Sequence, residues 1–164
     1  MEKLPPNMIC MLSLQVKLLR KGAKAPTRAT ARSAGVDLYA CLGAEDDPTL
    51  TLSIPAKSRT VIPTGVAVVI PEGHVGLCCP RSGLARHHGL TVLNSPGVID
   101  EDYVGELGII VINHAPDGFD FVVRHGDRIA QLIVTPVVYT SVEVVNELPT
   151  TERGAHGFGS TGRS

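Results

Sequence analysis

At 164 residues, with 43% hydrophobic and 19% charged side chains, the chain has the size and balance of one globular domain and not of a disordered segment. A formal net charge of -1 excludes the broad basic field of a protein that grips nucleic acid electrostatically, so an anionic ligand has to be met by local arginines or a metal. The four cysteines, Cys10, Cys41, Cys78 and Cys79, have neither C-x-x-C spacing nor the density of a secreted scaffold, which predicts a reducing, cytoplasmic setting and no zinc site with His87 and His88.

Met8 to Leu14 is apolar but too short to span a membrane, and residues 1–13 read as a leader before the first strand. Leu14-Gln-Val-Lys-Leu alternates as a half-buried strand does. A loop with Lys24, Arg28 and Arg32 leads to Ala34-Gly-Val-Asp-Leu-Tyr-Ala, where alternation displays Asp37 and Tyr39 opposite Val36, Leu38 and Ala40. Further runs at Leu50 to Ile54, Val61-Ile62, Val66 to Ile70 and Val75 to Cys79 are punctuated by Pro55, Pro63-Thr-Gly65 and Pro71-Glu-Gly73. A helical turn or two is expected only around Ser82 to His88. Leu107 to Ile112, Phe119 to Val123, Ile129 to Val138 and Val142 to Val145 complete a set of short strands that predicts an all-β sandwich or barrel over residues 14–145. Several runs are apolar throughout, a pattern that also suits subunit packing. Residues 146–164 lose all apolar period and read as a flexible Gly-rich arm carrying Phe158.

Asn94-Ser-Pro-Gly-Val-Ile-Asp-Glu-Asp-Tyr-Val-Gly105 concentrates three carboxylates, Asp100, Glu101 and Asp102, with Tyr103 and turn-forming Pro96, Gly97 and Gly105 between apolar runs. Val98 and Ile99 pin the base of a hairpin, leaving Asp100 on a short stem where an ionised carboxylate can orient a water or take its proton; a solvated acidic turn is the other reading. Pro80-Arg-Ser-Gly-Leu-Ala places Arg81 and Ser82 either to grip a phosphate or in an ordinary capped turn. Gln131, among the branched residues of Gly126-Asp-Arg-Ile-Ala-Gln-Leu-Ile, needs partners from a ligand or from buried backbone, and Asp127 and Arg128 read as a turn ion pair. Gly157-Phe-Gly-Ser-Thr-Gly162 matches G-x-G-x-x-G, but no strand precedes it and no helix can follow, so it is not a dinucleotide fingerprint. Its backbone N–H groups and the Ser160 and Thr161 hydroxyls, with Arg153 adding charge, suit either a phosphate clamp or a disordered end.

Taken together, these five stretches, Ala34 to Ala40, Pro80 to Ala85, Asn94 to Gly105, Gly126 to Ile133 and Arg153 to Gly162, resemble in order and spacing the five motifs of the trimeric dUTPases. The resemblance covers residues 14 to 162. It implies a β jelly-roll homotrimer with sites shared between subunits, a C-terminal lid, and Mg²⁺-dependent splitting of dUTP into dUMP and pyrophosphate, which limits uracil incorporation into DNA and supplies dUMP.

Position by position, the resemblance makes Asp100 the carboxylate that activates water and Tyr103 the ring under the deoxyribose, excluding a 2′-hydroxyl by shape. Asn94 and the backbone at Gly97, Val98 and Ile99 read uracil. Arg81, Ser82, Gly83 and Gln131 bind phosphates, and Asp37 supports the metal and phosphate region indirectly. Arg153, Phe158, Gly159, Ser160 and Thr161 form the lid. His156 stands where the family usually has Gly, a departure that bears on the lid's backbone freedom. The rival readings are a dCTP deaminase, opposed by the aromatic tail and the Tyr103 hairpin, a nucleotide-gated binding protein, and a purely structural jelly roll.

Overall fold

The computed structural model describes residues 12–157. Its strands are β1 (Gln15–Leu18), β2 (Val36–Tyr39), β3 (Thr51–Ile54), β4 (Arg59–Val69), β5 (His74–Cys79), β6 (Leu90–Val92), β7 (Gly97–Ile99), β8 (Glu106–Asn113), β9 (Phe121–Arg124) and β10 (Arg128–Pro136), with one helix, α1 (Ser82–His88), between β5 and β6. Two four-stranded sheets, β1-β4-β8-β6 and β2-β10-β5-β7, face each other, and β3-β9 forms a third, two-stranded sheet. Every pairing is antiparallel. This is the all-β jelly roll expected, and among the described residues no helix is long and apolar enough to cross a membrane.

The core lies between the large sheets because each contributes one apolar face. Along β8, Leu107, Ile109, Val111 and Asn113 point inward and are buried, while the intervening residues are not. Leu107, Ile109 and Val111 share one cluster with Ile62, Val66 and Val68 of β4 and Leu132 of β10. Full burial of each such side chain is worth about 1.5–3 kcal/mol. Asn113, buried at the end of β8, is satisfied on all sides: its amide donates to Ile54 O and Phe119 O at 3.0 Å each and accepts from Ala115 N at 2.9 Å. One side chain thereby joins the ends of β3 and β8 to the loop before β9.

Four local expectations change. Pro63-Thr64-Gly65 does not end a strand but lies within β4, where the register against β8 shifts. Gly65 has φ +67° there, its N–H donates to Glu106 Oε1 at 2.8 Å, and Thr64 Oγ1 donates to Leu107 O at 2.7 Å; bonds that use the Glu106 and Thr64 side chains, with a left-handed glycine, absorb what reads locally as a break. β1 forms, but all four residues are exposed in a single chain. Val142 to Val145 forms no strand; the last described strand ends at Pro136, and Val142 and Val144 are more than nine-tenths exposed. Asp127 and Arg128 do not pair: Asp127 Oδ2 accepts the Arg124 N–H, and Arg128 reaches across to Asp37. That reach is possible because β10 lies beside β2.

Candidate active site

The turn after β7 carries the first group of predicted residues. Ile99 pairs with Gly76 and Gly97 with Cys78, so β7 is an edge strand of the second sheet and not half of a free hairpin. Asp100 leaves its end exposed to solvent, and the Tyr103 N–H closes the turn on Asp100 O at 3.2 Å. The Tyr103 hydroxyl donates to Glu106 O at 2.9 Å, which lays the ring across Gly105. A Cβ on Gly105 would sit 2.6 Å from that hydroxyl oxygen and 2.8 Å from Cζ, so the ring has this position only because residue 105 has no side chain.

Below the turn, a slot of about 50 Å³ is lined by Cys78, Val92, Asn94 and the Gly97 to Ile99 backbone. Gly97 keeps it open: an added Cβ would meet Asn94 Nδ2 at 3.3 Å and Cys78 Cβ at 3.4 Å. Burial pushes the Cys78 thiol up to about 11, with the neighbouring Cys79 adding to the rise, so this wall of the slot is a neutral, unreactive one. An open pocket of about 150 Å³ adjoins the slot, sharing Val98, Ile99, Leu107 and Gly108 with it, and adds Asp100 and Tyr103. Asn94, the β7 backbone, Tyr103 and Asp100 thus form one continuous surface.

The second group lies at the other end of β5. Asp37 is buried, contrary to its expected display on β2, and each carboxylate oxygen is occupied: Oδ1 accepts from Arg81 Nε and Oδ2 from Arg128 Nη1, both at 3.1 Å. Arg81 also donates from Nη1 to Arg128 O at 3.1 Å. One buried carboxylate holding two guanidiniums leaves a local excess of positive charge at the surface. Gln131 Nε2 donates to Pro80 O at 3.0 Å, which fixes the residue before Arg81 and satisfies the amide by backbone. Gly35 makes room for that side chain, since a Cβ there would lie 2.8 Å from Gln131 Oε1. Ser82 and Gly83 are exposed on the first turn of α1. Arg128 was not among the predicted site residues, although it lies in the Gly126 to Ile133 stretch; in the sheet it pairs with Tyr39, two residues along β2 from Asp37, and its side chain reaches back to the carboxylate.

Within one chain these groups stay apart. Ile99 lies opposite Gly76, five residues before Arg81, and Asp100 is one step further away. At about 3.3 Å per residue the separation is roughly 20 Å. Arg153 sits on the arm in a small self-contained loop, its Nε donating to His156 O at 3.0 Å while the His156 N–H donates back to Arg153 O at 3.3 Å. Gly154, φ +55°, makes that turn. Phe158, Gly159, Ser160 and Thr161 lie outside the described residues. No group of three or more metal-ligating side chains converges among the described residues.

An exposed carboxylate beside a narrow slot, and a buried acid that holds two guanidiniums at the surface, give this all-β sandwich the means to bind a small anionic ligand. The sequence pattern of the dUTPase family matches residues 21–162. A deoxyuridine 5'-triphosphate nucleotidohydrolase of Syntrophotalea carbinolica is 48% identical over 151 residues, covering 92% of this chain and 97% of its own. Among solved structures, a mutant dUTPase of Staphylococcus bacteriophage 80alpha with dUpNHpp superposes with a TM-score of 0.81 at 32% identity, over 93% of this chain and 99% of that one. A mutant dUTPase from phage phi11 of S. aureus, described with a structural Mg(II) ion, does so with a TM-score of 0.72 at 31% identity, over 83% and 98%. The chain belongs to the dUTPase family.

Proposed function

We propose that this protein is a dUTP diphosphatase, hydrolysing dUTP to dUMP and pyrophosphate with Mg²⁺, and that it works as a homotrimer whose sites are shared between chains. The observation that carries the reading is the continuous surface formed by Asn94, the Gly97 to Ile99 backbone, Tyr103 and Asp100. The slot suits a flat base hydrogen-bonded by Asn94 and backbone, and a pocket this narrow rejects an added methyl group by overlap. Tyr103, its hydroxyl end seated over Gly105, supports the sugar and leaves no space for a 2′-hydroxyl. Asp100, exposed at the mouth, takes a proton from a water whose oxygen bonds to the α-phosphorus as the bond from that phosphorus to the bridging oxygen breaks and pyrophosphate leaves.

Arg81, with Ser82, Gly83 and Gln131 around it, receives the phosphate chain. Asp37 serves that region indirectly, since both its oxygens hold arginines and orient the guanidiniums toward charge that develops on the leaving pyrophosphate. Arg153 and the run Phe158 to Thr161 complete the site as a lid that excludes water. The donor set suits a Mg²⁺ carried chiefly by the triphosphate and waters, a common mode for this hard, strongly hydrated ion. When bound, Mg²⁺ neutralises phosphate charge.

The separation of roughly 20 Å between Asp100 and Arg81 along β5 supports sharing: one chain's carboxylate needs another chain's arginines. The exposed apolar residues Val16, Leu18 and Val61 on the first sheet and Val138, Val142 and Leu148 on the segment that follows β10 support the association, because such surface is costly to leave in water. The test is pyrophosphate release with Mg²⁺ from dUTP, dCTP, dTTP and UTP, with an ammonia assay and an Asp100→Asn control. Release is expected from dUTP alone, with turnover at least about a hundredfold lower in Asp100→Asn while dUTP still binds. Near-normal turnover in that variant refutes the assigned base, and ammonia from dCTP refutes the reaction.

A further inference from the structure

Glu101, the residue after Asp100, has no part in the reaction just described, yet it is the best-anchored acid of the turn. Its Oε2 accepts two hydrogen bonds, from the Gly73 N–H at 2.9 Å and from the Tyr139 hydroxyl at 2.7 Å. Gly73, φ +72°, belongs to the turn between β4 and β5, and its carbonyl accepts the Val137 N–H at 3.0 Å. Val137 is the first residue after β10, and Tyr139 follows two positions later. A closed ring of contacts therefore runs from Glu101 to Gly73, to Val137, to Tyr139 and back to Glu101. It joins the turn carrying Asp100, the β4–β5 turn and the root of the C-terminal arm.

The Tyr139 side chain is two-thirds exposed and borders an open cavity of about 440 Å³ that is also lined by His74, Val75, Asp100 and Asp102. Its ring therefore gains little from packing, and its hydroxyl makes the defining contact. Pairing of Ile99 with Gly76 holds Asp100 from the N-terminal side; Glu101 holds it from the C-terminal side.

We propose that Glu101 is a positioning residue that, through Tyr139, ties the root of the C-terminal arm to the turn carrying Asp100, so that the arm's placement governs how well Asp100 is aimed. The inference rests on the reading of Asp100 as the base that activates water. A base held on both sides keeps the water in line, and a misplacement on the scale of an ångström lowers the rate steeply without touching the nucleotide pocket. The same link makes arm and base cooperate: the segment that brings Arg153 to the site starts from the residue pair that steadies Asp100.

The full-length enzyme with dUTP and Mg²⁺ provides the test, in Tyr139→Phe, Glu101→Ala, Glu101→Gln, the Tyr139→Phe/Glu101→Ala double variant and Asp100→Asn. Tyr139→Phe, which loses only an exposed O–H, is expected to lower kcat about tenfold with KM within about twofold. The double variant should fall no further than Glu101→Ala alone, because both remove one link. Glu101→Gln, which keeps an oxygen acceptor for both donors, should retain kcat within about threefold of wild type, a rescue that loss of packing does not produce. Wild-type kcat in Tyr139→Phe, multiplying effects in the double variant, or a Glu101→Gln as poor as Glu101→Ala each overturns the inference while a dead Asp100→Asn leaves the functional reading standing. Full turnover in Asp100→Asn overturns that reading, and the inference with it.

Discussion

Gly105 shows how much of this site depends on a missing side chain. The Tyr103 ring occupies the volume in which a Cβ would stand, 2.6 Å from the hydroxyl oxygen. Gly105→Ala should therefore push the ring toward the pocket or out of it, and the ratio of kcat/KM for dUTP over UTP should fall about tenfold; an unchanged ratio would separate Tyr103 from sugar selection. Tyr139 offers a pH signature at the same scale. The hydrogen bond it donates to Glu101 raises its pKa to about 12, and that O–H, with the Gly73 N–H, holds the Glu101 carboxyl below its ordinary 4.5. The contact needs a protonated Tyr and an ionised Glu. Tyr139's share is fully present below its unfolded value of about 10 and is lost as pH rises through about 12. Glu101's share is present above 4.5 and is lost as pH falls through its lower folded value. Ultraviolet titration of wild type minus Tyr139→Phe should isolate a transition near pH 12, and a difference transition near 10 would mean that the contact is absent in solution.

At the level of elements, most strands were legible because burial leaves an alternating pattern. Leu107, Ile109 and Val111 on β8 announce one buried face, and the seven residues of α1 fall at Ser82–His88 where the chain lacks strand alternation. The pattern misled where a side chain far along the chain supplies what the local backbone lacks. Pro63-Thr64-Gly65 reads as a turn, but Glu106 and Leu107 of the neighbouring strand accept its hydrogen bonds and β4 runs on. Asn113 is the counterpart case, a polar residue in a core position whose three partners come from Ile54, Phe119 and Ala115. Asn113→Ala leaves those buried backbone groups unpaired and should destabilise the fold by about 3 kcal/mol, seen as a lower urea midpoint at fixed chain concentration; an unchanged midpoint would show that water replaces the amide.

For the whole molecule, the separation of Asp100 from Arg81 leads to a mixing experiment. Asp100→Asn and Arg81→Ala chains should each be inactive alone. Unfolded together in equal amounts and refolded, they should recover about a quarter of wild-type activity, since each factor is intact in half the chains of a symmetric assembly that draws them from different subunits. No recovery would place both residues of a site on one chain. The five motif stretches are visible in the sequence alone because each is a local string whose turn residues, charges and aromatic ring are set by neighbours a few positions away, and those strings sufficed for the family and the chemistry. What only the tertiary structure decided is which residues meet. Arg128 on Asp37, Gln131 on Pro80 and Tyr139 on Glu101 all depend on where distant segments are brought together, which the spacing of residues along the chain does not encode.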